Sequence, residues 1–122
     1  MKNILKSLLL VVVAFYTVNS VAQTVYPTAN PAAVYVTADG DEITDATDAQ
    51  SAPLVGKFTS NIEDLGDYSV RYEWKIYREG QENAPIIHRF DKDIEHTFTE
   101  SGSFYVQFYA TFTKGNDVIV FP

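Results

Sequence analysis

The sequence predicts an all-β fold, a two-sheet β-sandwich of about seven short strands. Three observations carry that prediction. Two long runs alternate apolar and polar residues with a period of two. Shorter runs rich in β-branched and aromatic residues fill most of the remaining chain, and Gly, Pro, Asn and Asp separate them at regular spacing.

The first element is not part of the fold. Met1 to Lys6 supply a short positive start, Leu8 to Tyr16 form an unbroken apolar run, and Ser20-Val21-Ala22 places small residues at the −3 and −1 positions of a cleavage site. The run is too short for a membrane anchor, which needs about 20 residues. Residues 1–22 therefore read as a cleaved export signal, leaving Gln23 as the new N-terminus and no membrane span afterwards. The mature chain is expected to be secreted or held at the cell surface. Residues 23–32, with Pro27, Asn30 and Pro31, read as a lead-in linker, and 33–122 as one domain.

Within that domain Val34 to Thr37 and Leu54 to Thr59 are short β-rich runs. Val70 to Tyr77 places Val70, Tyr72, Trp74 and Ile76 on one face and Arg71, Glu73 and Lys75 on the other. Ile86 to Phe90 follows Pro85, and Ile94 to Thr99 follows the acidic turn Asp91 to Asp93. The clearest run is Phe104 to Phe112: Phe104, Val106, Phe108, Ala110 and Phe112 share one face, Tyr105, Gln107, Tyr109 and Thr111 the other. Val118 to Phe121 closes the chain as a hairpin across the turn Lys114-Gly115-Asn116-Asp117. That closing strand is shorter than its neighbour. About half of the Phe104 to Phe112 edge is expected to lack a partner, which marks the domain as cut short at its C-terminal strand and prone to edge-to-edge association.

Composition excludes several functions. The chain has 122 residues, of which 100 remain after the signal, enough for one core and too few for two. Loss of Lys2 and Lys6 takes the formal charge from −7 to −9, the opposite of a nucleic-acid footprint. Zero cysteines exclude disulfides, thiolate zinc sites and a cysteine nucleophile.

Tyr72-Glu73-Trp74, then Glu95-His96-Thr97-Phe98, then Glu100-Ser101-Gly102-Ser103-Phe104-Tyr105-Val106, resembles the PKD (polycystic kidney disease) domain. That family pairs an aromatic-x-Trp strand with a His-Thr-aromatic … Gly-x-aromatic-x-Val signature. The resemblance implies an immunoglobulin-like sandwich without a disulfide, in which Trp74, Tyr72, His96, Phe98, Gly102 and Phe104 are structural. Ser51-Ala52-Pro53-Leu54, Gly66-Asp67-Tyr68 and Arg71 to Lys75 are similar to the N-terminal PKD domains of secreted proteins from Bacteroidetes-type bacteria. Those proteins continue into a gliding-motility-associated C-terminal domain. Here Arg78-Glu79-Gly80-Gln81 stands where the family carries a Gly-Asp-Gly turn. Gly102 occupies a tight corner that favours positive φ. At that corner Phe104 replaces the tyrosine that would hydrogen-bond the backbone, so packing must serve in its place.

Chemistry-bearing clusters are few. Asp39, Asp41, Glu42, Asp45 and Asp48 crowd one loop, but not in the order of a calcium loop, and read as a solvated acidic connection. His88 and His96 are the only imidazoles; His96 reads as a half-buried structural residue, and no Gly-x-Ser-x-Gly turn accompanies His88. No catalytic residue, metal ligand or cofactor is assigned. The outward faces of the two best strands remain. Side by side, they would set Arg71, Glu73 and Lys75 beside Tyr105, Gln107 and Tyr109, a surface suited to a protein or glycan partner. The expected function is a non-enzymatic spacer or adhesion module; the alternative is a glycan-binding module that assists a polysaccharide-degrading system.

Overall fold

The computed structural model describes residues 24–44 and 52–122. The export signal and the acidic residues Asp45 and Asp48 lie outside the described residues. Ten strands follow in order: β1 (Thr28–Ala29), β2 (Ala32–Val36), β3 (Glu42–Ile43), β4 (Leu54–Thr59), β5 (Ile62–Glu63), β6 (Ser69–Arg78), β7 (Ile87–Arg89), β8 (Ile94–Phe98), β9 (Phe104–Lys114) and β10 (Asp117–Phe121). Two four-stranded sheets, β3-β2-β4-β8 and β10-β9-β6-β7, make up the immunoglobulin-like sandwich, and β1-β5 forms a short ribbon. Every pairing is antiparallel.

The seven runs read from the sequence reappear as β2, β4, β6, β7, β8, β9 and β10. The other three are two-residue ladders, too short to show a period. One of them corrects the linker reading of residues 23–32. Thr28 and Ala29 pair with Glu63 and Ile62, and the Asn30 amide donates to the Ser60 and Asn61 carbonyls at 3.2 Å. Ala29 is buried in the core, so this stretch is held by the domain rather than leading into it. The start of the acidic stretch is likewise held by the fold. Thr37 to Asp41 closes a turn through the Gly40 amide on the Thr37 carbonyl at 2.9 Å, and Glu42 then faces Val36 in the β2–β3 ladder.

The long ladder between β6 and β9 organises the core. Trp74 faces Phe108 in register, with ring centroids 4.4 Å apart, and Phe58 reaches across from the other sheet to 6.0 Å from Trp74. Trp74 is 2% exposed, and its indole N–H donates to the Asp91 carbonyl at 3.1 Å. The acidic turn thus satisfies the one polar atom that burying this ring brings inside. Ile76, Ala110 and Phe112 complete the buried layer, and Tyr72 packs against it.

Two glycines hold positions where a side chain would be strained or crowded. At Gly102, φ is +149°, and an added Cβ would stand 3.0 Å from Arg78 Nη1. Arg78 crosses this corner to pair with Glu100, and its guanidinium lies 4.9 Å over the Phe104 ring. Phe104 also packs 5.0 Å from Phe98, so stacking holds the corner. At Gly56, mid-strand in β4, the Phe58 and Phe98 rings close over the backbone.

Candidate functional site

Residues facing one another across an antiparallel ladder share a face. On the β10-β9-β6-β7 sheet, Tyr77 stands opposite Tyr105, Lys75 opposite Gln107, Glu73 opposite Tyr109 and Arg71 opposite Thr111. On the flanks, His88 faces Lys75, and Val120 and Val118 face Thr111 and Thr113. All six residues expected to form a binding surface, Arg71, Glu73, Lys75, Tyr105, Gln107 and Tyr109, therefore occupy one contiguous outer face.

Two groups of polar contacts lie on this face. Gln107 Nε2 donates to the Tyr77 hydroxyl at 2.9 Å, and the Tyr109 hydroxyl donates to Gln107 Oε1 at 3.4 Å. His88 Nε2 and Glu73 Oε2 hydrogen-bond at 2.9 Å. That bond, followed by the charges of Lys75 and Arg71, holds the Glu73 carboxyl below its ordinary range. Arg71 lies 5.0 Å over the Phe90 ring. Tyr77 and Tyr105 stack with centroids 5.6 Å apart and planes 25° apart. Desolvation first, then the nearby Glu82 carboxylate, push the Tyr77 hydroxyl above its ordinary value, keeping it protonated.

The apolar side chains set this face apart. Phe90 and Tyr105 are each 48% exposed, Val118 60% and Val120 59%, all of them large hydrophobics on or beside this sheet. The outer face of the β3-β2-β4-β8 sheet is different: its exposed side chains are Ala32, Glu42, Lys57, Glu95 and Thr97. Beside the stacked tyrosines, the turn from Glu79 to Ala84 walls a cleft of about 540 Å³ lined by Tyr77, Tyr105, Glu79, Gln81, Glu82 and Asn83.

Sequence reasoning missed Tyr77, His88, Phe90, Val118 and Val120. Tyr77 was within reach, since it continues the parity of Arg71, Glu73 and Lys75. The others required knowing which strands flank β6 and β9. His96 lies on the other sheet, opposite Gly56, with its ring edge-on to Phe98 at 4.7 Å. Desolvation there, then the Arg89 charge, lower its pKa. Among the described residues, no group of three or more His, Asp or Glu side chains is placed to hold a metal ion. Nor, among them, is any helix long and apolar enough to cross a membrane. Comparison with family models, with curated proteins and with solved structures returns no match.

Proposed function

We propose that this chain is a non-enzymatic, PKD-like β-sandwich module, exported to the cell surface, where it acts as a spacer and adhesion unit through protein or glycan contacts. The observation that carries this reading is the concentration of exposed apolar side chains on one sheet face. Phe90, Tyr105, Val118 and Val120 all stand there, interleaved with Arg71, Glu73, Lys75 and Gln107. Aromatic anchors among polar groups are the composition of recognition surfaces. A monomer with no partner gains nothing from leaving them in water.

A second reading, a glycan-binding module assisting polysaccharide degradation, draws on a separate observation. The Tyr77–Tyr105 stack beside a cleft lined by Glu79, Gln81, Glu82 and Asn83 offers ring surface for stacking and polar groups for hydroxyls.

One experiment separates them. Wild-type protein and a Tyr105→Ser/Tyr109→Ser variant are each applied to an oligosaccharide array and to immobilised cell-surface protein from the producing organism. Retention on surface protein, lost in the variant and without a selective oligosaccharide hit, is the expected result. A selective hit lost in the variant establishes the second reading instead. Binding by the variant as strong as wild type, or no binding of either kind, overturns the assignment of this face.

A further inference from the structure

The connection from β6 to β7 builds one wall of the cleft beside the stacked tyrosines. Its backbone is fastened at successive steps. The Glu79 amide donates to the Ser103 carbonyl at 2.9 Å, the Gln81 amide to the Arg78 carbonyl at 2.9 Å, and the Ala84 amide to the Gln81 carbonyl at 3.1 Å. Gly80, third in the Arg78 to Gln81 turn, has φ +79°, the conformation a type II turn requires at that position. The wall is set before a ligand arrives, so binding there costs little backbone ordering.

The charge in this cleft is one-sided. Glu79 and Glu82 line it, and no Lys or Arg does. Arg78, the one cation of the turn, is engaged by Glu100 and by the Phe104 ring at 4.9 Å. Among the described residues neither Glu79 nor Glu82 has a salt-bridge partner. The two rings are also incompletely used. Tyr105 is 48% exposed, and among the described aromatic and cationic groups its ring meets Tyr77 alone. Tyr77 lines the same cleft at 8% exposure. Its hydroxyl accepts from Gln107, and among the described residues its own proton has no acceptor. A hydroxyl proton so placed calls for a carbonyl or hydroxyl oxygen from outside the chain.

We propose that this cleft takes a lysine side chain presented by a protein partner, an inference that rests on the adhesion reading above. The alkyl stem lies along the Tyr105 ring, and the ammonium reaches the carboxylates of Glu79 and Glu82. The Tyr77 hydroxyl donates to a backbone carbonyl of the segment that carries the lysine. Each of these groups is one that the chain itself leaves without that partner. The cleft of about 540 Å³ has the size of a site for one such side chain with its flanking backbone. A carboxylate in the same place would be opposed by both glutamates. The formal charge of −7 favours approach of a basic partner to the whole molecule as well.

The test has two arms. In the first, the purified protein is titrated by NMR with the tripeptide acetyl-Gly-Lys-Gly-amide. Saturable shifts are expected at the amides of Gly80 to Ala84 and at the Tyr105 ring, and none there from the same peptide acetylated on its lysine Nζ. Glu79→Gln/Glu82→Gln changes two exposed side chains, leaves the backbone bonds of the turn in place, and is expected to weaken binding about fivefold or more. In the second arm, acetylating the lysines of immobilised cell-surface protein is expected to abolish retention of the wild-type chain. Equal shifts from the acetylated peptide, unchanged affinity in the double variant, or glucosamine saturating the cleft at lower concentration than the peptide would each overturn the proposal. Retention that survives acetylation overturns it too, with the adhesion reading left standing. Absence of retention on untreated surface protein overturns that reading instead, and the peptide arm then decides the lysine site by itself.

Discussion

At the residue scale the molecule turns on Trp74. Its ring meets Phe108 from its own sheet and Phe58 from the other, and its single polar atom is bonded to the Asp91 carbonyl. Removing it empties the space between the sheets and leaves that carbonyl without its donor. Trp74→Ala is expected to cost about 3–5 kcal/mol, the range for large-to-small aromatic changes in cores. Urea unfolding checks it; a loss below about 1 kcal/mol would mean the site collapses without a cavity. The reading of this residue from sequence was direct. Its parity with Val70, Tyr72 and Ile76 placed it inward, and it is 2% exposed.

At the scale of elements, β4 shows where parity alone falls short. Gly56 sits in mid-strand, where glycine ordinarily weakens a sheet by roughly 0.5–1 kcal/mol. By that argument Gly56→Ala would stabilise. The packing reverses the sign: a Cβ at Gly56 would stand 2.6 and 2.8 Å from Phe58 ring atoms and 3.2 Å from Phe98. Phe58 cannot give way easily, since it is 2% exposed and wedged between Tyr35 and Trp74. Gly56→Ala is therefore expected to lower stability by about 1–3 kcal/mol, as overpacking does. A higher urea midpoint would show that the rings move aside. The same element scale explains the unforeseen strands. β1, β3 and β5 are two residues each, and a two-residue ladder is set by the partner rather than by its own pattern.

At the scale of the whole molecule, acid should loosen the fold in two separate windows. His96 is held below its ordinary 6.5 by desolvation on one sheet, and Glu73 below its ordinary 4.5 by His88 on the other. Both folded-state values are depressed, so both groups bind a proton more readily when unfolded. His96 contributes fully above pH 6.5 and loses its contribution as pH falls through its folded value; Glu73 does the same below pH 4.5. Melting temperature is expected to fall first below 6.5 and again below 4.5. His96→Gln should flatten the first decline and leave the second; Glu73→Gln should do the reverse. Equal slopes in His96→Gln and wild type would refute the first assignment.

The sequence by itself determined seven of the ten described strands and which side of each long strand is apolar. It could do so because the two-residue period of a strand is a local property, written in consecutive side chains such as Phe104 to Phe112. It also supplied the six polar and aromatic residues of the outer face, since they are what alternation leaves outside. Only the tertiary structure decided which strands are neighbours. That choice brought His88 to Glu73 and Phe90 to Arg71, set Val118 and Val120 on the rim, and closed the rings of Phe58 and Phe98 over Gly56. It also fixed which backbone groups of β9 face β6 and which face β10. These are long-range facts, because hydrogen-bond register and ring packing depend on residues brought together from distant parts of the chain, and no local period records them.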